Sequence, residues 1–222
     1  MPSVYDIPFW SKDFYDHKAR WIHYYHQVNF VAREVRRREK KLENFTVLEI
    51  GPSHGFVTDY LKKFGVAVTT LDNKKEYSPD VLGTVLTMPF PDDTFDMVLV
   101  CEVLEHLPFD DFPKALKEIF RICRGSVLLS EPDSRNILIG LRCKIPFFKT
   151  RDMLIKVQRG GTPIVKRGHY WEIGVTGFPL RRIRHAITQA GFTIAEEKTS
   201  LDTPRNYYFL LKKPGAYNGL CL

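Results

Sequence analysis

Several things are scarce or missing in this sequence, and each absence removes a class of protein. Cysteine occurs four times in 222 residues, as Cys101, Cys123, Cys143 and Cys221, and never as CxxC. That spacing excludes a zinc ribbon or a disulfide scaffold and fits reduced thiols, so no bound metal is expected. No apolar run approaches the ~18 residues of a membrane-crossing helix, so no integral membrane segment is expected. The opening MPSVYDIPFWSKDF carries acids and lacks a basic start followed by an apolar block. A secretory leader is therefore not expected, and the expected location is cytoplasmic. Internal repeats are absent. The spacing G-x-G-x-x-G is missing too, because Ser53 and Phe56 stand where its second and third glycines belong, and this argues against a nicotinamide-dinucleotide fingerprint.

What is present is ordinary in amount and uneven in placement. Hydrophobic residues make up 44% and charged residues 27% of the chain, as in globular proteins, and the length suits one α/β domain with a small addition. The formal net charge is +7. Residues 134–178 alone account for it: nine basic residues (Arg135, Arg142, Lys144, Lys149, Arg151, Lys156, Arg159, Lys166 and Arg167) face only Asp152 and Glu172. A local field of that sign attracts phosphates, carboxylates or an anionic surface, unless the segment is simply a solvated loop.

Periodicity divides the chain. Residues 1–45 read as an N-terminal helical cap, with Val28, Val31, Ala32, Val35 and Leu42 at helical spacing. Its aromatic lead-in includes Trp21, Tyr24, Tyr25 and Phe30, suited to cover the sheet and in part to line a pocket. From Thr46 short apolar strands alternate with helical stretches. VLEI (47–50), VAVTTL (66–71), DMVLV (96–100) and SVLLS (126–130) are strands. Val57 to Phe64, Phe112 to Cys123 and Leu180 to Ala190 are helices, and FTIAEE with NYYFLLKK forms a terminal strand pair. Repeated β-then-α predicts a doubly wound, mostly parallel sheet over 46–213. The stretch 134–178 breaks the rhythm on the side where such sheets bind ligands, and reads as a lid or acceptor-recognition insertion. Residues 214–222 are a tail without periodicity.

The strand–turn–helix VLEIGPSHGFVTDYL places Gly51 and Gly55 where backbone must approach a ligand closely. Asp72 ends the next strand, where a carboxylate can accept both hydroxyls of a ribose. These two motifs, followed by MPFPDDTFDMVLVCEVLEHL, resemble the class I S-adenosylmethionine-dependent methyltransferases, and among them the type 11 family, over roughly 46–132 and again at 180–196. The resemblance implies a seven-stranded Rossmann-like sheet with its last strand antiparallel. It implies S-adenosylmethionine as cofactor and S-adenosylhomocysteine as product. Glu49 matches the acid that places the methionine end. Gly51, Pro52, Ser53 and Gly55 match the loop around it, and Asp72 with Asn73 matches the ribose site. Leu86, Thr87 and Met88 match the stretch flanking adenine. Cys101, Glu102 and Val103 match the residues lining the pocket near the sulfonium. Two departures stand out: Ser53 replaces a customary glycine, and Thr84 stands where the family often has an acid for the adenine amine.

For chemistry on the acceptor, His106 and His169 are the candidate general bases, while Glu105 reads as a structural helix-start acid. Tyr170 and Trp171, beside His169, would form an aromatic–polar acceptor wall, and Arg135, Arg142, Arg151 and Arg167 would clamp anionic groups. The expected acceptor is an anionic small molecule or a lipid-type molecule. One alternative is an RNA methyltransferase or RNA-binding protein that uses the basic insertion with Phe147, Phe148 and Trp171. Against it, there is no appended RNA-binding domain and no Asn/Asp-Pro-Pro-aromatic motif, to which SEPD (130–133) is a distant cousin at best. A further alternative is a non-catalytic binder that keeps the cofactor fold, and a weaker one is a membrane contact by IPFF (145–148) with its basic flanks. Oligomeric state is not legible.

Overall fold

A computed structural model describes residues 18–39, 41–144, 151–158 and 168–215, with only the backbone of Arg151. The sheet strands are β1 (Thr46–Ile50), β2 (Ala67–Asp72), β3 (Val81–Leu82), β4 (Phe95–Cys101), β5 (Cys123–Pro132), β8 (Thr193–Lys198) and β9 (Asn206–Lys212). The helices are α1 (Lys18–Arg37), α2 (Phe56–Lys63), α3 (Phe112–Ile122) and α4 (Leu180–Gln189). The remaining strands, β6 (Asn136–Cys143) and β7 (Arg151–Val157), pair only with each other, as an antiparallel hairpin.

The main sheet runs β3-β2-β1-β4-β5-β9-β8. β1 to β5 are parallel, and β9 runs antiparallel to both of its neighbours. This is the expected doubly wound fold with the last strand reversed. The alternation of side chains along each strand divides the core in two. Leu48, Ile50, Val98, Val100, Val127 and Leu129 face α3 and α4. Val47, Met97, Leu99 and Leu128 face α1 and α2, where Phe30, Val31, Val57 and Leu61 cover them. The cap helix is thus part of the core on one face.

The chain leaves β1 toward one sheet edge and returns through β4 to the other side of β1. The β1/β4 pair is therefore the topological switch point, and the crevice beyond its carboxyl end is where such sheets bind ligands. At the opposite end of the sheet Arg38 and Arg124 both bond Asp96, which is buried. The hairpin grows from the carboxyl end of β5 and rests on the β8–β9 connection. Arg142 bonds Asp202, and the Leu201 amide donates to Asp152.

Three differences from the sequence reading have simple causes. β3 has two residues, too few to display a period. The β6–β7 hairpin hid inside the insertion because its apolar residues do not alternate between a core and solvent. Ile137, Leu138, Ile139, Leu141, Met153, Ile155 and Val157 are all exposed. The cap helix extends back to Lys18, where polar His23, His26 and Gln27 break the apolar pattern although all three are buried.

Candidate functional site

Three short turns at the carboxyl ends of β1, β2 and β4 build the site. At the first, Gly51 has φ +70°, and its amide donates to Leu71 at 2.8 Å. A Cβ there would stand 2.5 Å from Val103 Cγ2, so the close approach of two loops, and not only the turn, demands glycine. Ser53 holds φ +51°, a conformation that costs an ordinary residue about 1–2 kcal/mol. Its Oγ is buried without a hydrogen-bond partner. Gly55 (φ +73°) then starts α2. Beneath the turn, Glu49 is buried and accepts the Thr58 hydroxyl. Burial pushes its pKa up to about 7.

At the second turn Asp72 is 8% exposed, and its Oδ1 accepts the Lys74 amide at 2.8 Å. Asp72 and Asn73 line a cavity of about 500 Å³ with Ile50, Gly51, Ser53, Lys74, Tyr77, Gly83, Thr84, Val85, Glu102 and Val103. An adjoining cavity of about 340 Å³ shares Ile50, Gly51, Ser53, Glu102 and His106 with the first. It is further lined by Glu49, Pro52, Cys101, Glu105 and His169, and by Arg20, His23, Tyr24 and Gln27 of α1.

The third turn carries the polar groups. Glu102 has φ +58°, a strained setting of the kind found at functional sites. Its amide donates to the Ser130 carbonyl and its carboxylate accepts the Ser130 hydroxyl, both at 3.0 Å. Residues 104–106 form one 3-10 turn that presents His106. His169 arrives from the far side of the insertion, and the two imidazoles meet edge to face at 4.9 Å. His106 Nδ1 pairs with the Gly168 carbonyl at 3.2 Å, and His169 Nδ1 with Glu172 Oε1 at 2.8 Å. Burial lowers the pKa of His106. Behind them Glu105 and Glu131 are fully buried, and burial, with repulsion from neighbouring carboxylates that include Glu102, holds both carboxyls well above the usual range.

The structure therefore gathers Glu49, Gly51, Pro52, Ser53, Asp72, Asn73, Cys101, Glu102, Val103, His106 and His169 around two joined cavities, with Gly55 at the adjacent helix start. Other expectations need correction. Leu86, Thr87 and Met88 line neither cavity. A bridge between Thr84 and Thr87 turns the chain so that Gly83, Thr84 and Val85 face the cavity while Met88 enters the core. Trp171 is no acceptor wall: it is fully buried between Phe109 and Phe112, at ring distances of 5.2 and 4.8 Å. Tyr170 is exposed and lines neither cavity, although its amide donates to the Glu105 carbonyl at 2.8 Å. Arg135 is held by Asp133, and Arg142 by Asp152 and Asp202. Both are spent on the hairpin's own attachment. Arg167 and the side chain of Arg151 lie outside the described residues. Sequence reading missed Arg20, His23 and Gln27, because a buried face of polar residues on a cap helix carries no motif. It also missed that Glu105 faces the cavity, because His169, which stands across from it, comes from elsewhere in the chain.

Comparison with known proteins bears on the fold. Residues 48–129 match the family of methyltransferase domains. An uncharacterised protein of Methanocaldococcus jannaschii is 33% identical over 103 residues, 43% of this chain and 44% of that protein, so the match spans less than half of this relative. Among solved structures, the magnesium protoporphyrin IX methyltransferase of Synechocystis, determined with S-adenosylmethionine, superposes with a TM-score of 0.57 at 15% identity. That match covers 90% of this chain and 84% of the other. The 1,6-didemethyltoxoflavin N1-methyltransferase of Burkholderia thailandensis, determined with S-adenosylhomocysteine, gives 0.55 at 15% identity over 88% and 86%. These likenesses establish the fold. Residues 48–129 thus match a methyltransferase domain, and the chain shares the fold of methyltransferases determined with S-adenosylmethionine or S-adenosylhomocysteine.

Proposed function

We propose that this protein transfers the methyl group of S-adenosylmethionine to a lipid-type or otherwise amphipathic acceptor with an anionic group. The observation that carries the reading is the union of a nucleoside-sized cradle with a polar chamber through the shared edge Ile50–Gly51–Ser53–Glu102–His106. The residues fit the cofactor. Asp72 suits the ribose hydroxyls, the unpartnered Ser53 hydroxyl and the backbone around Gly51 suit the methionine carboxylate, and Glu49 suits its ammonium. When bound, the cofactor supplies the activated methyl. The protein aligns the acceptor and keeps water out. His169, oriented through Nδ1 by Glu172, leaves Nε2 to take a proton from an oxygen or nitrogen acceptor.

Two observations support an amphipathic acceptor. The hairpin that exposes seven large apolar residues is rooted at Ser134, whose hydroxyl bonds the same Glu172 that orients His169. The segment also keeps an excess of basic residues even with Arg135, Arg142 and Lys156 paired to acids. The RNA reading loses Trp171, one of its three stacking rings, to the core, and Phe147 and Phe148 lie outside the described residues. The test is to incubate the protein with methyl-labelled cofactor and cell extract separated into lipid, RNA, protein and small-molecule fractions. The reading expects label in lipid or amphiphile. Label confined to RNA or protein would replace this acceptor class, and no label in any fraction under cofactor saturation would favour a non-catalytic binder.

A further inference from the structure

Three side chains at the acceptor end of the site converge in a way that proton transfer alone does not require. Glu105 lies on the turn after β4, its side chain 1% exposed. Apart from the nearness of its own amide, neither carboxylate oxygen has a hydrogen-bond partner. An unpaired carboxylate in such a place costs several kcal/mol unless a positive group compensates it. Its Oε1 stands 3.9 Å from His106 Nε2 and 3.9 Å from His169 Nε2. These distances are too long for hydrogen bonds, yet one ligand atom from each residue lies within 4.8 Å of the others.

The outer contacts of the two imidazoles make the arrangement directional. A metal-ligating histidine commonly gives its other ring nitrogen to a carboxylate or a backbone carbonyl, which fixes the ring and its tautomer. Here His169 Nδ1 is held by Glu172 and His106 Nδ1 by the Gly168 carbonyl. In both rings Nε2 is left toward Glu105. Glu172 is itself bonded by Ser134, so the outer layer is fixed as well.

We propose that Glu105, His106 and His169 bind one divalent first-row transition ion, such as Zn²⁺, Mn²⁺, Fe²⁺ or Co²⁺. Two imidazoles and one carboxylate select such ions over Mg²⁺ or Ca²⁺, which prefer all-oxygen sites. Ligand distances near 2.1 Å place ligand atoms about 3–3.5 Å from one another, so binding requires a contraction of roughly 1 Å, within reach of side-chain rotation. All three residues line the cavity beside Glu49 and Gly51, so the ion's open positions face the chamber and would take water or an oxygen of the acceptor. This site does not depend on the methyl-transfer reading. It does compete with one part of it, because a nitrogen bound to metal does not accept the acceptor's proton.

The test uses untagged full-length protein, stripped with a chelator and titrated with Co²⁺ followed by visible absorption, and with Zn²⁺ followed by calorimetry. The expected result is one ion per chain, with the absorption bands of a nitrogen- and oxygen-ligated Co²⁺. Affinity should fall at least tenfold in Glu105→Gln and in His169→Gln, and stay unchanged in Cys143→Ser. Circular dichroism and S-adenosylhomocysteine binding report whether each variant is folded. Wild-type protein that binds no ion, or binds it as well as folded Glu105→Gln does, would overturn the proposal and leave the imidazoles as proton acceptors.

Discussion

The two halves of the site are built on different principles. The proposed cofactor half comes from three turns that each lie within a few residues of a strand end: Gly51–Gly55, Asp72–Asn73 and Cys101–Val103. The proposed acceptor half is assembled from α1, the turn at 104–106 and the return of the insertion at 168–172. Local geometry suffices for a nucleoside cradle, because every ligand of that class offers the same ribose and methionine groups. An acceptor chamber must fit one molecule, and this one draws on segments that lie far apart in the chain.

That difference explains what was legible in the sequence. Short apolar runs in VLEI and DMVLV marked buried strands, and the glycine turn with a strand-end acid pointed to Asp72. Ser53 could be seen as a departure, and its left-handed backbone now shows why glycine is customary there. Trp171 was misread because an aromatic beside a histidine suggests a binding wall, whereas its ring fills the core between Phe109 and Phe112. Arg135 and Arg142 were misread because each is paired with acids of the hairpin and its attachment, Asp133 for the first and Asp152 and Asp202 for the second, contacts that only the fold reveals. Glu105 and His169 are far apart in the chain, and no local pattern announces that they meet.

Substitutions can break or sharpen the contrast. The largest effect is expected from Trp171→Ala, a core truncation that should cost about 3–5 kcal/mol of folding stability, read by denaturant unfolding. A small loss of stability with a large rise in acceptor KM would return Trp171 to the acceptor wall. Gly51→Ala should cost about 1–2 kcal/mol of folding stability from its left-handed backbone, and the clash with Val103 should displace the turn that would hold the cofactor. Calorimetry should find the loss in cofactor affinity.

Glu49 gives a pH signature. In the apo protein its pKa is raised from 4.5 to about 7 by burial, so the fold holds this proton more tightly than the unfolded chain does. Its contribution to apo stability is present at low pH and is lost as pH rises between those values. Pairing with the cofactor's ammonium needs the ionised form. Affinity should therefore rise with pH up to about 7, with proton release on binding, and this dependence should vanish in Glu49→Gln. A flat profile in the wild type would remove Glu49 from the methionine end. The smallest effect is expected from Arg142→Ala. Its exposed pairs with Asp152 and Asp202 should matter little to stability, and the acceptor KM should not change. A clear rise in that KM would restore Arg142 as an anion clamp.

The central claim is that the turn at Gly51 and the carboxylate of Asp72 hold S-adenosylmethionine. Its most direct test is calorimetric titration of S-adenosylhomocysteine into wild-type protein and Asp72→Ala. The account predicts one site per chain and a loss of about 1.5–3 kcal/mol in the variant, the range for hydrogen bonds to a charged group. Equal affinity in the two proteins, or no binding to the wild type, would contradict it.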